Sequence, residues 1–123
     1  MKARMFIGLS ALAAGLAVTW AHAGEPVALP KAEVQKLLAG KTVVVEYVDP
    51  LHLEFSEKGS FKALATASAI RGIGTWSVDD RGRLCLKSPS PLLQGCRAVL
   101  RGDRGLGMTK ADGTGFFAIG DIH

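Results

Sequence analysis

Cysteine, histidine and aromatic side chains are scarce in this chain of 123 residues, with two cysteines, three histidines and one tyrosine, and each shortage excludes something. Cys85 and Cys96 form no C-x-x-C motif, and no cluster of histidine or further cysteine stands by to complete a zinc shell. Nucleophilic catalysis needs a base beside its nucleophile, and beyond the first 23 residues only His52 and the terminal His123 supply an imidazole. A phosphate-binding loop is missing too, because Gly105-x-Gly107 and Gly113-x-Gly115 fall in turns with no helix after them. Past Val18 no apolar run approaches the roughly 20 residues of a membrane-spanning helix.

What is present begins with an export pattern. Lys2 and Arg4 precede an apolar stretch from Met5 to Val18, and Ala21-His22-Ala23 offers small residues flanking a cleavage site. Residues 1–23 are expected to be a secretory signal peptide, leaving 24–123 as a single β-rich domain in the periplasm or outside the cell. The residue directly after Ala23 is Gly24 and not cysteine, so an N-terminal lipid anchor is not expected, nor is stable membrane insertion after cleavage. The leader also takes Lys2 and Arg4 away from the 15 basic residues, leaving 13 against 11 acidic ones, a net charge of +2 rather than +4. That near balance, with both signs interspersed, argues against a nucleic-acid partner.

Along the remaining chain, Pro30 suits a helix start, where its missing N–H costs nothing. Leu29, Val34, Leu37 and Leu38 then fall on one stripe, and Gly40 provides a stop, which predicts a short amphipathic helix over 31–39. Everything after Gly40 reads at period two between turn signals. Strands are predicted over 42–48, 51–55, from Phe61 onward, 74–78, 83–87, 96–101, 106–110 and 114–119, with 65–73 indistinct and 24–29 an irregular lead-in. Asp79-Asp80-Arg81-Gly82 is a strong hairpin turn. The fold class is therefore mainly β, a small antiparallel up-and-down barrel or half-barrel of about seven or eight strands with one short N-terminal helix.

In an exported chain Cys85 and Cys96 are expected to form a disulfide. Strict alternation groups Cys85 with Arg83 and Lys87 but Cys96 with Ala98 and Leu100. That predicts opposite faces unless a bulge at Gly95 rotates one of them. His52, beside Glu54, reads as a solvated surface histidine, with a metal or proton-transfer role as the competing reading. Glu46, Asp49, Glu54 and Glu57 read as solvated carboxylates. Trp76 and Tyr47 either line an apolar pocket at the barrel mouth or fill the core, and Phe116, Phe117 and Ile119 are expected to seal the last strand.

Leu37-Leu38-Ala39-Gly40-Lys41-Thr42, Gly74-Thr75-Trp76, Arg83-Leu84-Cys85-Leu86 and Cys96-Arg97 together resemble a family of small exported proteobacterial proteins classed as a domain of unknown function. That resemblance implies export, a disulfide and a β-rich fold, and brings no catalytic residue. The Gly74-x-Trp76 pair is similar to the lipocalin signature, although lipocalins carry it in their first strand. It implies an apolar ligand. Size, compartment and single disulfide are also similar to the exported β-barrel inhibitors of bacterial metalloproteases, whose work lies in the N-terminal segment, here 24–29.

The resulting expectation is a non-enzymatic binding protein that needs no cofactor or metal. Its ligand is a small apolar molecule held against Trp76, Tyr47, Val45 and Phe55. The alternatives are a periplasmic protein partner, such as a protease bound as by an inhibitor, or a structural role in the envelope.

Overall fold

A computed structural model describes residues 25–47, 49–65 and 71–123. The leader at 1–23, the end of the first predicted strand at Val48, and 66–70 of the indistinct stretch lie outside the described residues.

The predicted helix forms as α1, Lys31–Leu38. Pro30 stands at its N-cap, and its carbonyl accepts the amides of Glu33 and Val34, both at 3.1 Å. Gly40 ends the turn at φ 72°, a left-handed conformation that glycine adopts without penalty. The apolar stripe goes inward, with Val34 and Leu38 fully buried and Leu29 nearly so. Burying Val34 and Leu38 contributes about 1.5–3 kcal/mol each, which is what holds so short a helix in place.

Among the described residues ten strands follow the alternation. They are β1 Val27–Ala28, β2 Thr42–Val45, β3 Leu51–Phe55, β4 Ser60–Ala65, β5 Arg71–Val78, β6 Leu84–Lys87, β7 Gly95–Arg97, β8 Val99–Gly102, β9 Gly105–Met108 and β10 Phe117–Ile122. In β4 the period-two pattern is complete, with Phe61, Ala63 and Ala65 buried and Ser60, Lys62 and Leu64 exposed. All pairings are antiparallel, and the sheet curls into a half-barrel. The pairing runs from β2 through β3, β4, β5 and β6 to β7, and from β8 through β9 and β10 back to β2. Residues 95–102 complete this circuit, because their first half pairs with β6 and their second with β9. At the changeover the amide of Thr109 donates to the carbonyl of Ala98 at 3.1 Å.

Two elements exceed the expected number of strands. The predicted strand 96–101 is divided at Ala98 where it changes neighbours, and the lead-in is not irregular throughout. Val27 and Ala28 pair with Arg101 and Leu100, and the amide of Leu29 donates to the carbonyl of Val99 at 3.0 Å. A two-residue strand has too little pattern to read. It forms because the edge of β8 beyond the end of β6 would otherwise expose unpaired amides.

The helix closes one end of the half-barrel. Lys31 pairs with Asp80 at 3.4 Å and Glu33 with Arg101 at 3.0 Å, fixing α1 to the β5–β6 turn and the end of β8. The helix packs against β5, and its Val34 and Leu38 join Phe55, Phe61, Trp76 and Leu84 in one buried hydrophobic cluster. The turn itself forms as predicted: the Asp79 carboxylate accepts the amides of Arg81 and Arg83 at 3.0 and 2.8 Å, and Gly82 takes φ 79°. The opposite end is built from the β2–β3, β6–β7 and β9–β10 connections.

Candidate functional site

The connection-lined end holds a cavity of about 360 Å3. Its floor is made of inward-facing residues of the strands, Val45, Leu53, Leu86 and Met108, each no more than 4% exposed. Leu51, Leu93 and Phe117 continue this apolar wall outward. The mouth is formed by Tyr47, Leu92, Gln94, Arg97, Lys110, Ala111 and Asp112. The Tyr47 ring packs on Phe117 with centroids 4.9 Å apart and shields one side.

The β6–β7 connection supplies the opposite wall and is held by its own polar groups. A 3-10 turn at Pro91–Leu93 drives Leu93 inward to 2% exposure. The Gln94 side-chain amide donates to the carbonyl of Ser88, and the amide of Ser90 donates to the Ser88 hydroxyl at 3.2 Å. Across the mouth, the buried Thr109 hydroxyl donates to the carbonyl of Lys110 at 2.8 Å and accepts the amide of Ala98 at 3.1 Å. The β6–β7 connection is thus held by bonds within itself, and the start of the β9–β10 connection is tied to Ala98 between β7 and β8.

Arg97 is the cation set deepest in this rim. Its guanidinium donates to the carbonyls of Leu92 at 2.9 Å and Gly95 at 3.4 Å. Burial pulls its pKa down from the ordinary arginine value, yet arginine remains protonated at neutral pH. Asp112 is engaged within its own loop, accepting the Thr114 hydroxyl at 2.7 Å and the Thr114 amide at 2.9 Å. Those bonds, the hydroxyl's first, hold its carboxyl below the usual carboxylate range, helped by the neighbouring charge of Lys110.

Of the four residues expected to touch a ligand, Val45 and Tyr47 line this cavity and Trp76 and Phe55 do not. Trp76 is 5% exposed, on β5, the strand the helix packs against. Its indole N–H donates to the carbonyl of Ser56 at 2.9 Å, and its ring meets Phe55 edge-on at 5.2 Å. Phe55 also borders a smaller depression of about 210 Å3 with Lys41, Glu54 and Lys62. Phe117 lines the main cavity, whereas Phe116 lies outside it, against the face of Gly107.

Cys85 and Cys96 are joined as a disulfide, and although Gly95 takes φ 98° the register of β6 on β7 runs without a bulge. They are direct cross-strand partners and share the outer face, because residues opposite one another on antiparallel strands point the same way. The expectation of opposite faces came from taking Cys96, Ala98 and Leu100 as the inner set. The inner set is Gly95, Arg97 and Val99, matched to Leu86, Leu84 and Met108. Asp79 lies with the two sulfurs within a 4.8 Å cluster, the one group of three metal-ligating side chain types among the described residues. Its sulfurs are spent in the disulfide, and Asp79 is paired with Arg83 at 2.7 Å.

His52 is half-buried on β3, opposite Val44 and Leu64. His123 is bonded into the sheet by backbone exchange with Thr42 at 2.7 and 2.9 Å, and its ring meets Asp121 at 2.8 Å.

Sequence reasoning missed Arg97, Leu86, Leu93 and Met108. One signal pointed to Arg97: if Cys96 pairs outward with Cys85, its neighbour must point inward. Comparison of the chain with protein-family models, curated proteins and solved structures finds no match.

Proposed function

We propose that this chain is an exported, non-enzymatic binding protein that takes up a small apolar molecule in the cavity at the connection-lined end of the half-barrel. The observation that carries the reading is the cavity itself: about 360 Å3, floored by Val45, Leu53, Leu86 and Met108. That volume lies within the roughly 300–1,000 Å3 of small-molecule sites. At about 30 Å3 per non-hydrogen atom at liquid density it suits a ligand of about a dozen such atoms. Because α1 plugs the other end, the ligand enters and leaves by one mouth, a lipocalin-like arrangement. Transfer of about eight methylenes at ~0.8 kcal/mol each gives roughly 6 kcal/mol before ordering costs, which places affinity between micromolar and millimolar.

Export is supported by the disulfide, which persists in oxidising compartments, and by the pattern in residues 1–23. No helix among the described residues is long and apolar enough to cross a membrane. Protein recovered from the periplasm is expected to begin at Gly24 and to weigh two hydrogens less than its reduced form.

The binding test is calorimetric titration with 1-decanol, a neutral probe of about the right size. Wild-type protein binds it. Ala111→Trp, at the exposed mouth, places an indole in the cavity and abolishes binding without lowering the melting temperature. Undiminished binding by that variant would remove the cavity from consideration as the site.

A further inference from the structure

We propose that the molecule held in this cavity is an amphipathic anion, an apolar chain ending in a carboxylate that pairs with Arg97. The inference rests on the cavity reading above and adds the charge and polarity of the ligand.

The register decides the position of Arg97. Its cross-strand partner is Leu84, a fully buried residue of the inner face, so the Arg97 side chain leaves β7 on the inside of the half-barrel. It is the last residue of β7, two residues from Gly95 where the β6–β7 connection enters the strand, and its side chain reaches back to the Leu92 and Gly95 carbonyls of that connection, where it lines the cavity. Its bonds to Leu92 and Gly95 go to backbone carbonyls, so they orient the guanidinium without neutralising it. Among the described residues no carboxylate pairs with it, whereas Lys31, Arg83 and Arg101 each have an acidic partner.

The rest of the rim does not supply the missing charge. Among the described residues Asp112 is the acidic one lining the cavity, and Thr114 occupies it while Lys110 stands beside it. Lys110 and Asp112 offset one another, leaving Arg97 as the net positive centre at the edge of an apolar hole. A half-buried cation without a counterion is costly, and a carboxylate that arrives with its chain in the cavity relieves that cost. Guanidinium N–H groups left over from the two carbonyl bonds match the two carboxylate oxygens. Decanoate, of about a dozen non-hydrogen atoms, fills the volume in the sense used above.

The test is a calorimetric series on the oxidised protein with decanoate, 1-decanol and decylammonium, chains of one length that differ in head-group charge. Decanoate is expected to bind roughly 10- to 100-fold more tightly than decanol, the range of a hydrogen bond to a charged group, and decylammonium more weakly than decanol. In Arg97→Gln the ratio of decanoate to decanol affinity falls to near one, and Arg97→Lys keeps part of it. Equal binding of the acid and the alcohol by the wild type, or a ratio unmoved by Arg97→Gln, overturns the inference while decanol binding leaves the cavity reading intact. Binding of none of the three probes removes both. Should Arg97→Gln lose its fold with the Leu92 contact, the wild-type series and Arg97→Lys still decide the matter.

Discussion

Replacing Trp76 by alanine separates core from site more sharply than any other single change. The indole is 5% exposed, donates to Ser56 and packs on Phe55. An aromatic side chain of this kind buries about 150–250 Å2, which at ~25 cal/mol per Å2 corresponds to roughly 4–6 kcal/mol as an upper bound. Measured losses for Trp→Ala in cores centre on ~3–5 kcal/mol. A small domain has a total stability of about 5–15 kcal/mol, so the variant remains folded only marginally. Its melting temperature is expected to fall by roughly 15–30 °C. Because Trp76 is the one tryptophan outside residues 1–23, unfolding is followed by far-ultraviolet circular dichroism in urea rather than by fluorescence. The folded fraction should bind decanol with wild-type affinity, since Trp76 does not line the cavity. A variant that kept its urea midpoint and lost decanol binding would refute the assignment of Trp76 to the core.

Three further outcomes follow from the same geometry. A Cβ at Gly74 would stand 1.9 Å from the carbonyl oxygen of Lys87 and 2.8 Å from the Phe61 ring; Gly74→Ala is therefore expected to cost about 3 kcal/mol or more, read as a lowered urea midpoint. Removing the disulfide by Cys85→Ser with Cys96→Ser leaves no buried hole, because both face outward, and frees a loop of sequence separation 11; the loss is about 3 kcal/mol, seen as a melting temperature roughly 10–20 °C lower. Asp79 has its pKa lowered from the ordinary 3.8, first by the Arg83 amide and then, against the opposing effect of desolvation, by the Arg83 side chain and the Arg81 amide. Its contribution to stability is complete above pH 3.8 and is lost as pH falls through the lower folded value, so Asp79→Asn should flatten the acid limb of a plot of urea midpoint against pH. An unchanged acid limb would show that the turn carboxylate does not couple to folding.

The strand boundaries show where local reading suffices. Residues 51–55 form a strand as predicted, because alternation of Leu51, Leu53 and Phe55 against His52 and Glu54 is a property of neighbours. The turn at Asp79 and the helix stop at Gly40 are equally local, since a positive φ or a side-chain bond to the next amides depends on a few consecutive residues. The pairing of β1 with β8 was not legible, because two residues carry no period and the edge they cover is some 70 positions away. Of the four residues expected to touch a ligand, Val45 and Tyr47 line the cavity, while Trp76 and Phe55, equally aromatic or apolar in the sequence, lie in the core outside it.

The sequence by itself determined the fold class, the short helix, the main turns and the cysteine pair, because periodicity, turn chemistry and two lone thiols act through near neighbours or leave one partner to choose. Only the tertiary structure decided which face of residues 95–102 turns inward and which end of the half-barrel stays open. Alternation alone labels two faces without saying which is inside. The register of Cys96 on Cys85 makes that choice, and with it sends Arg97 into the mouth of the cavity rather than into solvent.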